Sequence, residues 1–282
     1  GMKAFHTLRT HIEQGPVRMR DFELFTLLLS ALEWRKHNGE IALLTDHAGA
    51  DYLQNCGLSE VWDEPEIIFD DESMKGIDER VFWAGAKIFA LQKQHAPCVM
   101  MDLDFIVWRT LDFTQYDGQT VVIHREPVGN EVYPEKAYFQ MDKSWTDFDD
   151  TYWSLEACNT AFAYFGDAEL LQYYCEKALL FMHYAQVREP DLPYMVFAEQ
   201  RLLAMCAKQM GQEIQTFSSL NDLFGDKQRE FTHVWGQKET FRQNNSQRAA
   251  FCWKCAERLQ HDFPDWAEKL QKQSWAHPYL SA

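Results

Sequence analysis

Short apolar runs alternate with segments of helical periodicity through the first hundred residues, and this constrains the fold more than any other feature. Ile41-Ala-Leu-Leu44 and Cys98-Val-Met-Met101 are brief and wholly apolar. Runs of that kind suit strands buried on both faces, as in a parallel sheet covered by helices. Between and around them, Phe22–His37, Asp46–Asn55 and Phe82–His95 carry apolar residues at helical spacing. Asn38-Gly39, Gly57 and Ala96-Pro97 supply their stops. Lys3–Leu8 is a strand candidate ahead of them, and Val61–Trp62 and Ile67–Phe69 are shorter ones. The spacing predicts βαβ units, hence an α/β, Rossmann-like fold with a mostly parallel central sheet flanked by helices.

The second half is less regular. Val121–His124 and Asn159–Phe165 read as strands, and Asn130–Tyr152 as a long aromatic and acidic loop. Asp167–Arg188 and Phe197–Gln209 read as helices, and Phe231–Lys238 as a strand leading into a loop. Gln247–Leu259 and Trp266–Gln273 form a terminal helical pair. No repeat or Pro/Gly/Ser-rich linker interrupts the chain. The expectation is one catalytic domain over residues 1–245, with a C-terminal helical extension, 246–282, packed on it.

Composition supports a large core, since 46% of the 282 residues are apolar and 15% aromatic. The formal net charge of −16 argues against nucleic acid or anionic lipid as a bulk partner. It leaves room for a phosphate-bearing substrate where a divalent cation inverts the local field. Seven cysteines, an odd number set in apolar surroundings, read as buried reduced thiols in a cytoplasmic protein. Cys252-Trp-Lys-Cys255 has redox or zinc spacing, but its helical pattern and the lack of a second pair favour helix packing. No run approaches the roughly 18–20 apolar residues of a membrane span, and no signal segment opens the chain. Membrane contact is therefore expected to be peripheral at most.

Chemistry concentrates at Asp102-Leu103-Asp104. The triplet ends the most apolar strand, and Phe105–Trp108 continues extended beyond it. In open parallel sheets ligands bind outside the carboxyl ends of the strands. Two charges between two buried runs need a partner. Carboxylates converging there suit Mg²⁺ or Mn²⁺, which take oxygen ligands and keep positions for substrate phosphates. The plainer alternative is a solvated acidic turn. Within Thr232–Lys238, His233 can be a third ligand, Gly236 lets backbone approach a ligand, and Lys238 can pair a phosphate. A core histidine near a turn explains the same residues with less. Glu199 either favours a helix start or faces the ligand edge. Asn159 either hydrogen-bonds a sugar hydroxyl or caps a strand. Thr45 and Asp46 also sit at a strand's carboxyl end, where a base or ribose would lie. Asp147-Phe-Asp149-Asp150 reads as a solvated acidic loop, able to serve as a lid. The sequence contains no GxSxG, Walker A or GxGxxG pattern, which disfavours an elbow-type hydrolase, a P-loop enzyme or a dinucleotide oxidoreductase.

In their order, these motifs resemble GT-A fold glycosyltransferases, in particular the glycogenin-like and galactosyltransferase-like group and bacterial sugar transferases with a DXD region. Lys3–Thr7 resembles the first nucleotide-binding strand and Ala42–Asp46 the second. Trp83-Ala-Gly-Ala-Lys87 resembles the helix before the DXD strand. Cys158-Asn159-Thr160 resembles an acceptor-side Asn-Thr-Gly strand, Glu199-Gln200 an Asp-Gln helix start, and His233–Lys238 the terminal His-x-x-Gly-x-Lys. The resemblance spans roughly residues 3 to 240. It implies that Asp102, Asp104 and His233 bind Mn²⁺ or Mg²⁺, which bridges the donor diphosphate, and that Lys238 contacts that diphosphate. It further implies donor contacts from His6, Thr7, Thr45, Asp46, Lys87 and Gly236, and catalytic positions at Glu199 and Asn159. The implied reaction moves a sugar from a nucleotide-sugar donor to a carbohydrate, lipid-linked or protein acceptor. Ala161 stands where the family often has Gly, and Glu199 where it has Asp. These departures, with the long segment after the first strand, leave nucleotide and sugar open. A sugar-phosphate nucleotidyltransferase would need a Gly-rich basic loop after the first strand, where only Arg9 and one Gly occur. A non-catalytic binding protein on a degenerate transferase fold is the other alternative.

Overall fold

The computed structural model describes residues 1–141, 145, 148–217, 231–234 and 237–280. The strands are β1 (Ala4–Leu8), β2 (Ile41–Thr45), β3 (Glu64–Ile67), β4 (Cys98–Met101), β5 (Phe105–Val107), β6 (Thr120–Val122), β7 (Arg125–Glu126), β8 (Ala157–Cys158), β9 (Phe162–Phe165), β10 (Ile214–Thr216) and β11 (Phe231–His233). Seven of these form one sheet in the order β10-β6-β9-β4-β1-β2-β3. Neighbours run parallel except β9, which is antiparallel to both β4 and β6. The expected α/β architecture with a mostly parallel sheet is therefore present.

The topology fixes where a ligand can sit. From β1 the chain steps outward to β2 and β3, then returns to place β4 on the other side of β1. Strand order thus reverses between β1 and β4, and the crevice outside their carboxyl ends is the natural ligand position. Asp102 emerges from β4 at that crevice.

Strand pleating divides the core. Phe5, Ala42, Leu44, Cys98 and Met100 face one layer, with α3 (Gly85–Gln92), α4 (Ala168–Tyr184) and α6 (Leu202–Gln209). Ala4, Ile41, Leu43, Val99 and Met101 face the other, with α1 (Asp21–His37). This is the period-two alternation of a sheet covered on both sides. The remaining helices are α2 (His47–Asn55), α5 (Leu192–Val196), α7 (Lys238–Gln243), α8 (Asn245–Asp262) and α9 (Pro264–Leu270). Helix α1 is buried through Leu24–Trp34 because α8 covers the side turned away from the sheet, with Cys252, Cys255, Ala256 and Leu259 in the contact. All seven cysteines are free and buried, so Cys252 and Cys255 serve this packing.

Several boundaries differ from the sequence expectation. Val61–Trp62 is no strand: Val61 ends a 3₁₀ turn, and Trp62 is buried with its indole N–H donating to His6 Nδ1 at 3.0 Å. The third strand is Glu64–Ile67, with Pro65 tolerated because β3 lies at the sheet edge. Asn159 stands between β8 and β9, not inside one strand. The helix expected from Phe197 starts at Leu192 as α5 and passes through a π-helical turn, Phe197–Arg201, into α6. Among the described residues, no helix is long and apolar enough to cross a membrane.

Candidate metal centre

Local hydrogen bonding shapes the Asp-Leu-Asp triplet. The Asp102 amide donates to the Ala161 carbonyl at 2.8 Å, and the Phe105 amide donates back to the Asp102 carbonyl at 3.1 Å. A tight turn results, after which β5 leaves the main sheet and pairs antiparallel with β11. That register sets His233 opposite Phe105, and the Val234 amide donates to the Asp104 carbonyl at 3.2 Å. His233 Nε2 consequently lies 3.5 Å from Asp104 Oδ1. One ligand atom from each of Asp102, Asp104 and His233 falls within 4.8 Å of the others. Lys238, opening α7, places Nζ 2.8 Å from Asp104 Oδ2.

A second ion-pair system supports the triplet from below. Lys87 on α3 donates to Asp102 Oδ1 at 2.7 Å and to Glu199 Oε1 at 2.6 Å. It also reaches the Thr160 carbonyl at 3.2 Å, while the Thr160 hydroxyl donates to Glu199 Oε1 at 2.7 Å. Three carboxylates thus share two ammonium groups. Burial alone would lower the Lys87 ammonium, but Asp102 and Glu199 outweigh it and hold Lys87 firmly protonated. Asp102 is shifted upward by burial and by the Asp104 and Glu199 charges, against the pull of Lys87. At Asp104 burial also pushes upward, yet His233 and Lys238 hold its carboxyl well below the usual range. Two acids and one imidazole with ligand atoms this close could hold a hard divalent cation.

Other candidates fall in different places. His6 is fully buried, held neutral by desolvation at a pKa of about 3, with its ring nitrogens on Trp62 and Ser30. The Ser30 hydroxyl continues to the Phe105 carbonyl at 2.5 Å. His6 is therefore a core residue bracing the start of β5, and the donor contact expected of it is withdrawn. Thr45 donates to the Leu8 carbonyl at 2.6 Å. Asp46 accepts from the Thr10 amide and hydroxyl at 2.8 and 2.7 Å and caps α2 through the Gly49 amide at 2.8 Å. Both residues direct side-chain oxygens to the segment after β1. The Thr7 hydroxyl is buried and has no hydrogen-bond partner among the described residues. Asn159 Oδ1 accepts from the Ala161 amide at 3.1 Å and shapes the entry to β9. Gly236 and Asp147 lie outside the described residues.

A group that sequence reasoning missed lies beyond β6. His124 Nε2 contacts Glu126 Oε1 at 3.1 Å, and the Tyr133 hydroxyl bridges Glu126 Oε2 and Gln200 Oε1. Arg201, 1% exposed, donates to the carbonyls of Pro134 and Trp153 and pins both ends of the long loop. The only signal available was His124 and Glu126 two residues apart past a strand's carboxyl end, which reads equally well as a strand edge.

A family model described as a family of unknown function, DUF6734, matches residues 10–273. The chain belongs to the DUF6734 family. The matched stretch begins just after β1 and takes in β4, the Asp102–Asp104–His233 cluster and the C-terminal helices α7–α9. No curated protein matches the chain.

Proposed function

We propose that the chain is a metal-dependent glycosyltransferase of the GT-A type, moving a sugar from a nucleotide diphosphate to a carbohydrate or lipid-linked acceptor. The observation that carries this reading is the convergence of Asp102, Asp104 and His233 within 4.8 Å at the crevice between β4 and β1. Two carboxylates and one imidazole leave about three octahedral positions for phosphate oxygens and water on Mn²⁺ or Mg²⁺. Once bound, the cation supplies charge neutralisation for a departing nucleoside diphosphate. Lys238, on a partly exposed stem beside Asp104, adds a second positive charge for the same phosphates. Lys87 keeps Asp102 and Glu199 in fixed orientations, and Glu199 is set to accept from a sugar hydroxyl.

Calorimetric titration of UDP, GDP and CDP with and without Mn²⁺ tests the reading. One nucleoside diphosphate is expected to bind with Mn²⁺ and to lose at least tenfold in affinity without it or in Asp102→Ala. Hydrolysis assays on a panel of nucleotide sugars then name the donor. If no nucleoside diphosphate binds in either condition, and Asp102→Ala leaves every titration unchanged, the transferase reading fails.

A further inference from the structure

The ligand edge of the sheet continues past the metal centre. Strand β9 is antiparallel to both β4 and β6, so β4 and β6 point the same way and their carboxyl ends open on one side. Asp102 stands at the first of these ends, and His124 with Glu126 stands at the second. Between them the N-terminal approach to β9 carries Asn159 and Thr160. Contacts run unbroken across this edge, from Asp102 through Lys87 to Glu199, and from neighbouring Gln200 through Tyr133 to Glu126 and His124.

The charge along this edge is one-sided. Asp102, Glu199 and Glu126 are its carboxylates, and Lys87 is already shared by the first two. The neighbouring guanidinium groups turn elsewhere: Arg125 to the carbonyls of Glu156 and Ala157, Arg201 to those of Pro134 and Trp153. Glu126 is 29% exposed, so a ligand can reach it. The hydrogen bond from His124, joined by that from Tyr133, outweighs burial and holds Glu126 ionised below the usual carboxylate range. His124 Nδ1 is buried and has no partner among the described residues, a further polar atom lacking its hydrogen bond.

We propose that this end of the crevice receives the transferred sugar and selects an uncharged sugar over an acidic one, with Glu126 as the specificity-determining residue. The proposal rests on the nucleotide-sugar reading above. Sugar hydroxyls donate well to a fixed carboxylate and amide. A uronate carboxylate in the same place meets Glu126 and Glu199, where among the described residues Lys87 is already shared with Asp102 and the neighbouring arginines turn to backbone carbonyls, and such like-charge contact is strongly disfavoured. Tyr133 and His124 are positioning residues, acting through Glu126.

The test is calorimetry in Mn²⁺ with UDP, which lacks the sugar, and with UDP-glucose and UDP-glucuronate, which differ only in a hydroxymethyl against a carboxylate at C6. If guanosine is the base bound, GDP-mannose and GDP-mannuronate replace them. Relative to the free diphosphate, the neutral sugar is expected to bind as tightly or more so, and the uronate about tenfold or more weaker. In Glu126→Gln that gap narrows, mainly through tighter uronate binding. Tyr133→Phe, which keeps the charge but frees its position, retains rejection of the uronate while weakening the neutral sugar. Uronate binding equal to or tighter than the neutral sugar in the wild type, or a gap unchanged in Glu126→Gln, overturns the proposal. Should no nucleoside diphosphate bind in any arm, the parent reading fails and takes this one with it, whereas UDP binding without sugar discrimination sinks this one alone.

Discussion

At the scale of single residues, the two lysines of the candidate metal centre are held differently and should fail differently. Lys238 has a side chain 37% exposed and pairs only with Asp104 among the contacts described for its ammonium. A divalent cation held between Asp102 and Asp104 would compete with it for the Asp104 carboxylate. Lys238→Met is therefore expected to tighten Mn²⁺ binding to the free protein several-fold and to weaken UDP binding in the presence of Mn²⁺. Calorimetry reads both. A residue acting purely as a phosphate ligand would leave the metal-only titration untouched, and a structural residue would weaken both. Lys87 is buried and joins Asp102 to Glu199. Removing one member of a buried ion pair strands the other charges, at a cost of about 3 kcal/mol or more. Lys87→Met should thus lower the urea midpoint markedly, and a loss under about 0.5 kcal/mol would mean that solvent already screens the pair.

At the scale of elements, the site depends on departures from regular structure. The β5–β11 ladder carries His233 to Asp104, and the π-helical turn Phe197–Arg201 offers three consecutive side chains to three different partners. Glu199 reaches Lys87, Gln200 reaches Tyr133, and Arg201 reaches the long loop. An extra residue in a helical turn re-aims side chains in this way and recurs at functional sites. Asp46 does comparable work between elements, capping α2 and tying Thr10 after β1. Asp46→Ala should cost about 1–3 kcal/mol, the sum of a lost cap and stranded donors, read as a shifted denaturation midpoint with unchanged slope.

The same elements explain what the sequence could disclose. Asp102 and Asp104 were legible because two charges interrupted two buried runs, a local conflict that needs no tertiary knowledge. The strands β2, β4 and β9 were legible from apolar content. The Lys87–Glu199 contact was not, since the partners are 112 residues apart and meet only once β4 and β9 are paired. Trp62 misled for a related reason: an apolar pair can be buried by a turn that feeds the core as readily as by a strand. His6 misled because a histidine within a short strand gives no local sign that both ring nitrogens face inward.

At the scale of the whole molecule, the C-terminal helices complete the core, and their contact with α1 contains a titrating pair. Glu33 lies within α1 with no exposed surface, and its carboxyl oxygens have no hydrogen-bond partner among the described residues. Arg258 of α8 is 3.9 Å away, and His37, one turn along α1, is 3.2 Å away. Burial, together with the facing Asp262 carboxylate, raises Glu33 to a pKa of about 8. The native state therefore keeps a proton that the unfolded chain, titrating near 4.5, releases. Between those values the native state binds more protons than the unfolded state, so this contribution to stability falls as pH rises and levels off above pH 8. His37 is lowered by burial and pulls the opposite way below pH 6.5, so the comparison must be made against a variant at each pH. Glu33→Gln keeps the shape and removes the titration. The two proteins should have similar urea midpoints at pH 5. By pH 8 the variant should be the more stable by about 1–3 kcal/mol, because only the wild type must then choose between a buried carboxylate and a costly proton. Parallel stability curves over that range would show that Glu33 is already solvated in the native state, and that α8 does not seal the far side of α1.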